Sequence, residues 1–342
     1  MKKEIFYTLC SKVFDCLNSD EQLTLFLEGE NSQYFRFNDS KLRQSGIIED
    51  FNLTLSLYNK NKCLQSMTTI SADLDSSVRK VIKEIDILRL SLNATPPSDH
   101  IVFPDKFGSV EVNALGNLPE RDNILDSLMG IIDKNTLTGV WSSGKIFRGC
   151  CASNGTKHWF EKDSFLFDFS LIDRNENMVK ILYPHSNWNE SEFHKVFTDA
   201  SSQLSLMDKP RIELKPGKYR TWFEPCAVAD FIDMFSWNGV SESSIRKGSS
   251  CFIKMRNEKK KLSPLFSLDE SFTDLTTAPF NTRGEVSSTV SIIKNGVFEN
   301  ALINSKTANE YNLESNYAED ENSWGMGEYL RSPSIHGGSL HD

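Results

Sequence analysis

Apolar and polar positions follow two periods over the first two hundred residues. Between 3 and 18, Ile5, Phe6, Leu9, Val13 and Leu17 share one face at helical spacing, which predicts an amphipathic helix. Residues 23–27 and 32–37 predict two strands, separated by Glu28-Gly29-Glu30-Asn31 and ended by Asn38-Asp39. Further on, Phe51, Leu53, Leu55 and Leu57 alternate with polar residues, which predicts an antiparallel strand with one buried and one wet face. Residues 63–70 predict a fourth strand. From 73 to 92, Leu74, Val78, Val81, Ile82, Ile85, Leu88 and Leu92 recur at steps of three and four behind Ser71 or Asp73 as N-cap, and Pro96-Pro97 closes the unit. Further helices are expected over 119–134 and 191–206, the latter from Phe193, Val196, Phe197, Ala200 and Leu204.

Between 139 and 183 the period returns to two. Hairpins are expected about Ser143-Gly144 and at Asn154-Gly155, the Asn-Gly pair being the stronger turn signal. Residues 164–172 continue as strand. Lys209-Pro210 and Lys215-Pro216-Gly217-Lys218 predict a join near 208, dividing the chain into 1–208 and 209–342. Beyond it, 219–225 predicts a strand and 226–235 a short helix, after which short strands and turns dominate. From Asn316 to Asp342 periodicity is lost, which predicts a loose tail. The expected fold class is α+β: an N-terminal mixed α/β domain followed by a β-rich, antiparallel, barrel-like C-terminal domain.

Composition narrows the function. A net charge of −9 over 342 residues disfavours nucleic acid, which requires a basic face. The one basic run, Lys259-Lys260-Lys261 after Lys254 and Arg256, reads as a solvated loop or hairpin tip. Seven Cys without paired spacing argue against a disulfide framework or structural zinc, so reduced thiols are expected. No run approaches ~18 apolar residues, and the N-terminus is too broken by polar residues for a signal peptide, so the chain reads as soluble and cytoplasmic with no membrane contact. The six His (His100, His158, His185, His194, His336, His341) never fall at i, i+3 or i, i+4. Cys150-Cys151 with His158 pose a nucleophile pair, but nothing points to a depressed thiol pKa. His336-Gly337-Gly338-Ser339 lacks the Gly-x-Ser-x-Gly elbow of an esterase, and no nucleotide-binding loop is present.

The specific signals lie between 246 and 315. They are Arg246-Lys247-Gly248-Ser249-Ser250, then Pro279-Phe280-Asn281-Thr282-Arg283-Gly284, then Ile292-Ile293-Lys294-Asn295-Gly296-Val297. This succession resembles the C-terminal domain of the TldD/PmbA (modulator of DNA gyrase) family, in its PmbA/TldE-like branch. Arg148-Gly149-Cys150-Cys151-Ala152-Ser153-Asn154-Gly155 resembles that family's "R-x-x-x-N-S-x-G" hairpin with Ser and Asn transposed. Asn281 stands for Asp and Arg283 for Glu in "P-F-D-x-E-G", and Asn312 and Asn316 replace Gly and Thr in "S-A-x-x-x-G-L-x-S-T-G".

The resemblance implies a metallopeptidase-related scaffold. In the zinc-bearing TldD branch, a His-Glu-x-x-x-His helix follows the join and a Cys lies near the C-terminus. Here the helix slot reads Glu224-Pro225-Cys226-Ala227-Val228-Ala229-Asp230, and the chain is expected to be shorter than its relatives. Glu224, Cys226 and Asp230 are poorly placed as ligands, so no metal, cofactor or catalytic residue is expected. By resemblance the chain is the metal-free subunit of a TldD/TldE-type heterodimeric peptidase acting on unfolded or ribosomally made peptides. The alternatives are a stand-alone peptidase with a divergent metal site and a non-catalytic peptide-binding homodimer. Peptide- or partner-binding residues are expected at Asn281, Arg283, Gly284, Arg246 and Lys247, with Arg283 favouring acidic residues or a C-terminal carboxylate.

Overall fold

The computed structural model describes residues 3–131, 136–237, 239–320 and 327–337. Its first part is a seven-stranded sheet of unusual strand length: β1 (Glu21–Asn38), β2 (Lys41–Asn59), β3 (Lys62–Thr69), β4 (Ser109–Ala114), β5 (Thr136–Ala152), β6 (Lys157–Ile172) and β7 (Met178–His185). The order is β3-β2-β1-β5-β6-β4, and β6 is long enough to pair antiparallel with β7 further along. Among the described strands of this sheet, β4 alone runs parallel to its neighbour.

The expected break at 28–31 is absent. Those residues pair with β2 on one side and β5 on the other, so two expected strands are one. The rings of Phe51 and Tyr34 lie over Gly29 and Gly46, so these glycines make room for rings inside strands instead of turning the chain. Gly144 likewise sits mid-strand, where a Cβ would lie 2.3 Å from the carbonyl oxygen of Asn31 and 2.5 Å from Cα of Ser32. No hairpin forms there. The Asn154-Gly155 turn does form, linking β5 to β6 with Gly155 at φ +97.

Odd-numbered residues of β1 face the helices. At one end Leu23, Leu25 and Leu27 meet α1 (Lys3–Phe14) and α2 (Leu74–Ala94), through Phe6, Leu9, Val81 and Ile85. Helix α2 is capped by Asp73, whose side chain accepts from the amide of Ser76. At the other end Phe35 and Phe37 join Trp141, Phe167 and Phe169 under α3 (Arg121–Ile131) and α4 (Glu190–Leu206). The helix expected over 119–134 thus matches α3 within the described residues, and 132–135 lie outside them.

The remainder is built from α5 (Pro225–Ser236), α6 (Glu242–Lys247), α7 (Ile253–Glu258), β8 (Leu268–Glu270), β9 (Val290–Lys294), β10 (Val297–Phe298), α8 (Ser305–Tyr311), β11 (Glu319–Asp320), β12 (Glu328–Tyr329) and β13 (Pro333–Ile335). Residues 219–224, expected as strand, are exposed and irregular, because among the described residues no strand pairs with them. The main sheet here is β10-β9-β8-β13. It is open, which corrects the barrel-like expectation: strands of two to five residues cannot develop the tilt and stagger of closure. Within the described residues of the expected tail, 327–337 are tied to the C-terminal sheet. Buried Glu270 accepts the amides of Arg331 (2.9 Å) and Ser332 (3.0 Å) and so fixes the start of β13 against β8.

Gly144→Ala is expected to destabilise the protein by about 1–3 kcal/mol, because the added methyl overpacks a backbone contact between adjacent strands. Gly130→Ala, where a Cβ meets nothing within 4 Å on helix α3, is expected to stabilise by about 0.5–1 kcal/mol. Urea midpoints of the two variants read both signs in one experiment.

Candidate functional site

The face of the long sheet opposite the four helices is covered by the turn after Pro279. Even-numbered residues point this way: Phe26 on β1, Cys150 on β5 and Phe160 on β6 enclose Phe280, which is fully buried. Phe280 meets Phe26 edge-on at 6.4 Å between centroids and lies 5.0 Å from the His158 ring. The turn is shaped by Asn281, whose Oδ1 accepts the amides of Arg283 and Glu285 (both 3.0 Å) and whose Nδ2 donates to the Glu285 carboxylate (2.8 Å). An Asp would keep the two amide bonds but would set a second negative charge against Glu285. Gly284 has φ +78, and a Cβ there would lie 3.1 Å from Sγ of Cys150.

Polar contacts then fix the register of the joint. The amide of Val110 donates to Nδ1 of His158 (3.0 Å), so the ring proton sits on Nε2 and is donated to the carbonyl of Gly284 (2.9 Å). Burial holds the His158 pKa below its ordinary value. Arg283 donates to the hydroxyl of Tyr58 (3.1 Å) and the carbonyl of Val102 (2.8 Å), and its Nε lies 3.3 Å from Glu285. Thr282 gives both its amide and its hydroxyl to buried Glu319 (2.8 and 2.7 Å).

Of the residues named from sequence, Asn281, Arg283 and Gly284 are thus brought together in this joint. Arg246 and Lys247 lie apart, exposed in the last turn of α6; Arg246 pairs with Glu242 (2.7 Å) and stacks on Tyr311. Sequence reasoning missed Tyr58, Glu285 and Glu319. Tyr58 closes the even-numbered, supposedly wet face of β2, where Ser56 and Tyr58 are in fact buried; an aromatic ending a polar row was the available signal. Cys150 and His158 are register partners, but Cys151 faces the other way into the helix-covered core. Burial pushes the Cys150 thiol well up, and both His158 nitrogens are engaged, so no nucleophile is assembled.

A second feature lies at α5. Cys226, Asp230, Phe231 and Met234 are exposed on it, and Trp222 and Phe223 precede it, also exposed. A groove of ≈ 500 Å³ runs between Val228, Ile232 and Ser236 of this helix and Leu330, Pro333 and Ile335. β13 is the outer strand of its sheet among the described residues. With Ser332 and His336 bonded to β8, alternation directs the amide and carbonyl of Ile335 away from β8. The donor set does not fit zinc. Glu224 precedes Pro225, Cys226 opens the helix, and among the described residues no three His, Cys, Asp or Glu side chains converge.

Fold and groove define an α+β scaffold in which a long antiparallel sheet carries a smaller unit with an exposed helix beside an open strand edge. Residues 216–335 match the PmbA/TldA metallopeptidase C-terminal domain. No curated protein matches the chain. Solved structures share its fold, these three among them. A candidate modulator of DNA gyrase from Thermotoga maritima has a TM-score of 0.71 at 16% identity, over 94% of this chain and 76% of that one. TldE from Thermococcus kodakarensis gives 0.71 at 12% identity, over 98% and 78%. A candidate modulator of DNA gyrase from Bacteroides thetaiotaomicron gives 0.72 at 14% identity, over 98% and 77%. The C-terminal part thus carries the PmbA/TldA-type domain, and over nearly its whole length the chain shares the fold of these structures.

Phe280→Ala is expected to lower stability by about 3–5 kcal/mol, since the cavity lies between two packed units. His158 supplies a pH signature. Its folded-state pKa is depressed below 6.5, so under mildly acidic conditions the unfolded chain binds a proton that the folded chain does not. Stability therefore falls as pH drops through the interval below 6.5 and levels off once the folded ring protonates. Denaturation at a series of pH values should show this component in the native protein and lose it in His158→Asn.

Proposed function

We propose that this chain is a metal-free, PmbA/TldE-like subunit of a TldD/TldE-type peptidase, which pairs with a zinc-bearing TldD-like subunit to process unfolded or ribosomally made peptides. Helix α5 carries the reading. It occupies the slot where the metal-bearing branch has its His-Glu-x-x-x-His helix, yet no His occurs between His194 and His336. Cys226 and Asp230, one turn apart, both face solvent. Without convergent ligands a water cannot be activated on this helix, so the hydrolytic centre is assigned to the partner.

Two further features support a subunit role. Trp222 (78% exposed), Phe231, Met234 and Trp237 (66% exposed) gather apolar surface on and around α5, and such patches mark interfaces. Elsewhere in the C-terminal part Phe252, Phe272 and Phe280 are buried and Phe266 and Phe298 half-buried, while Leu265 and Val297 are exposed. The open edge at Ile335 beside an apolar groove suits a peptide added as a strand. In this reading residues 1–208 and 209–342 are the two domains of the subunit. Arg246 and Lys247 are open to a partner or peptide, and Asn281, Arg283 and Gly284 set the joint between the domains.

Purified alone, the chain is expected to contain no stoichiometric zinc by elemental analysis and to leave unfolded peptides intact. Co-expressed with a TldD-like protein it should co-purify and support cleavage, and Trp222→Asp with Met234→Asp should weaken that association at least about tenfold by sedimentation. Chelator-sensitive cleavage by the single chain would instead establish the divergent metal site. A stable homodimer that binds peptides without cleaving them, with or without the partner, would establish the non-catalytic reading.

A further inference from the structure

A separate groove of ≈ 320 Å³ opens in the C-terminal part beside α7 and β10. Met255, Phe298 and Leu313 give it apolar walls, and Lys259, Lys260 and Lys261 line it as well. The local charge is out of step with the chain. Seven Lys or Arg and only two carboxylates fall within 242–261, in a protein of net charge −9. One of those carboxylates is already engaged: Glu242, 3% exposed, is held by Arg246 (2.7 Å) and Arg256 (2.6 Å). Among the described residues none of the three lysines makes an ion pair. Lys259 adopts φ 56, a left-handed conformation at the end of α7 that Gly or Asn takes more readily. A cation is thus kept at a strained position on the wall of a groove that joins apolar and charged side chains, and such strain is a pointer to function.

The backbone adds direction. Among the described residues β10 is the other outer strand of its sheet, and the Asn295-Gly296 turn pairs Val297 with Lys294 while the amide of Glu299 donates to the carbonyl of Ile292. Alternation in an antiparallel ladder then turns the amide and carbonyl of Phe298 away from β9, in the wall of this same groove. Glu299 and Asn300 line it too, and the Glu299 carboxylate opposes a dianion more strongly than a monoanion.

We infer that this groove holds the C-terminal residue of a peptide: its free carboxylate on the Lys259–261 cluster, its apolar side chain against Met255 and Leu313, and its backbone on the Phe298 edge. A single negative charge, an adjoining apolar group and an amide coincide in that chemical entity. Inorganic phosphate offers neither the apolar group nor the amide. The inference rests on the peptide-processing reading and names which feature of the peptide is recognised. It also moves carboxylate recognition from Arg283, whose guanidinium bonds Tyr58 and Val102 within the joint, to a groove with exposed cations.

Fluorescence anisotropy with dye-labelled pentapeptides ending in Leu, as free acid or C-terminal amide, tests it. The free acid should bind at least about tenfold more tightly than the amide at low salt, and less so as salt screens the contact. Lys259→Asn/Lys260→Gln/Lys261→Gln, verified as folded by its melting curve, should lose that preference while retaining the amide's weak binding. Equal binding of acid and amide, or an unchanged preference in the triple variant, would overturn the assignment. So would displacement of the peptide by phosphate at the same concentration as by acetyl-leucine, which marks a general anion site. If the partnered protein still cleaves unfolded peptides under any of these outcomes, only this groove is misassigned; if it cleaves none, the peptidase reading fails on its own terms.

Discussion

The contact on which both parts of the molecule depend is the seating of Phe280 on the back of the long sheet. That face would otherwise leave Phe26 and Phe160 in water. Burying one aromatic side chain there is worth about 2–3 kcal/mol, more than any of the exposed ion pairs, which contribute about 0–1 kcal/mol each. Apolar burial therefore holds the joint and the polar contacts specify it. The His158 to Gly284 bond, the Arg283 to Tyr58 bond and the Thr282 to Glu319 pair each require the turn at one height and one rotation on the sheet. Leaving any of these buried groups unmade would cost about 1–3 kcal/mol, which penalises a slipped register more than it strengthens the right one.

The C-terminal part has little regular ladder, and buried carboxylates do the work that strand pairing does elsewhere. Glu242, Glu270, Glu285, Glu319 and Glu328 are all nearly inaccessible. They gather donors from separate segments: Glu328 takes the hydroxyl of Ser243 and the amide of Asn304, and Glu285 takes the side chains of nearby Asn281 and of Ser305 on α8. For Glu270, burial raises the pKa while the amides of Arg331 and Ser332 pull it down. A buried carboxylate without donors would be strongly unfavourable, so these residues tie loops together only in the native arrangement.

This explains what could be read in the chain. Helices α2 and α4 and the Asn154-Gly155 turn were legible because their causes are local: a cap, a stripe, a glycine with positive φ. The long strands were cut short in reading, since Gly29 and Gly144 look like breaks until the partner strand that demands a missing side chain is known. The turn at 281–284 was recognisable because its chemistry is contained within five residues. Its partners Tyr58 and His158 were not, being more than a hundred residues away on a sheet face that alternation alone marks as wet. Asn312 shows the same locality: it ends α8 at φ 53, a left-handed position that Asn tolerates where relatives in the family pattern use Gly.

Helix α5 stands outside this network of constraints. It buries Ile232 and Ser236, and Ser236 accepts the amide of Leu330, but its remaining surface takes no part in the joint or in the carboxylate contacts. The fold consequently has no structural need for metal ligands on that helix. Selection could exchange His for Cys, Asp or an apolar residue there without disturbing Phe280, Glu270 or Glu328, provided a partner supplied the chemistry. Divergence of this kind is easiest where a side chain answers only to function. The inner face of α5 obeys packing, and the outer face sets exposed Phe231 and Met234 beside Asp230 and Asp233. Its exposed apolar side chains take no part in that network, and contact with another protein is what would take them out of water.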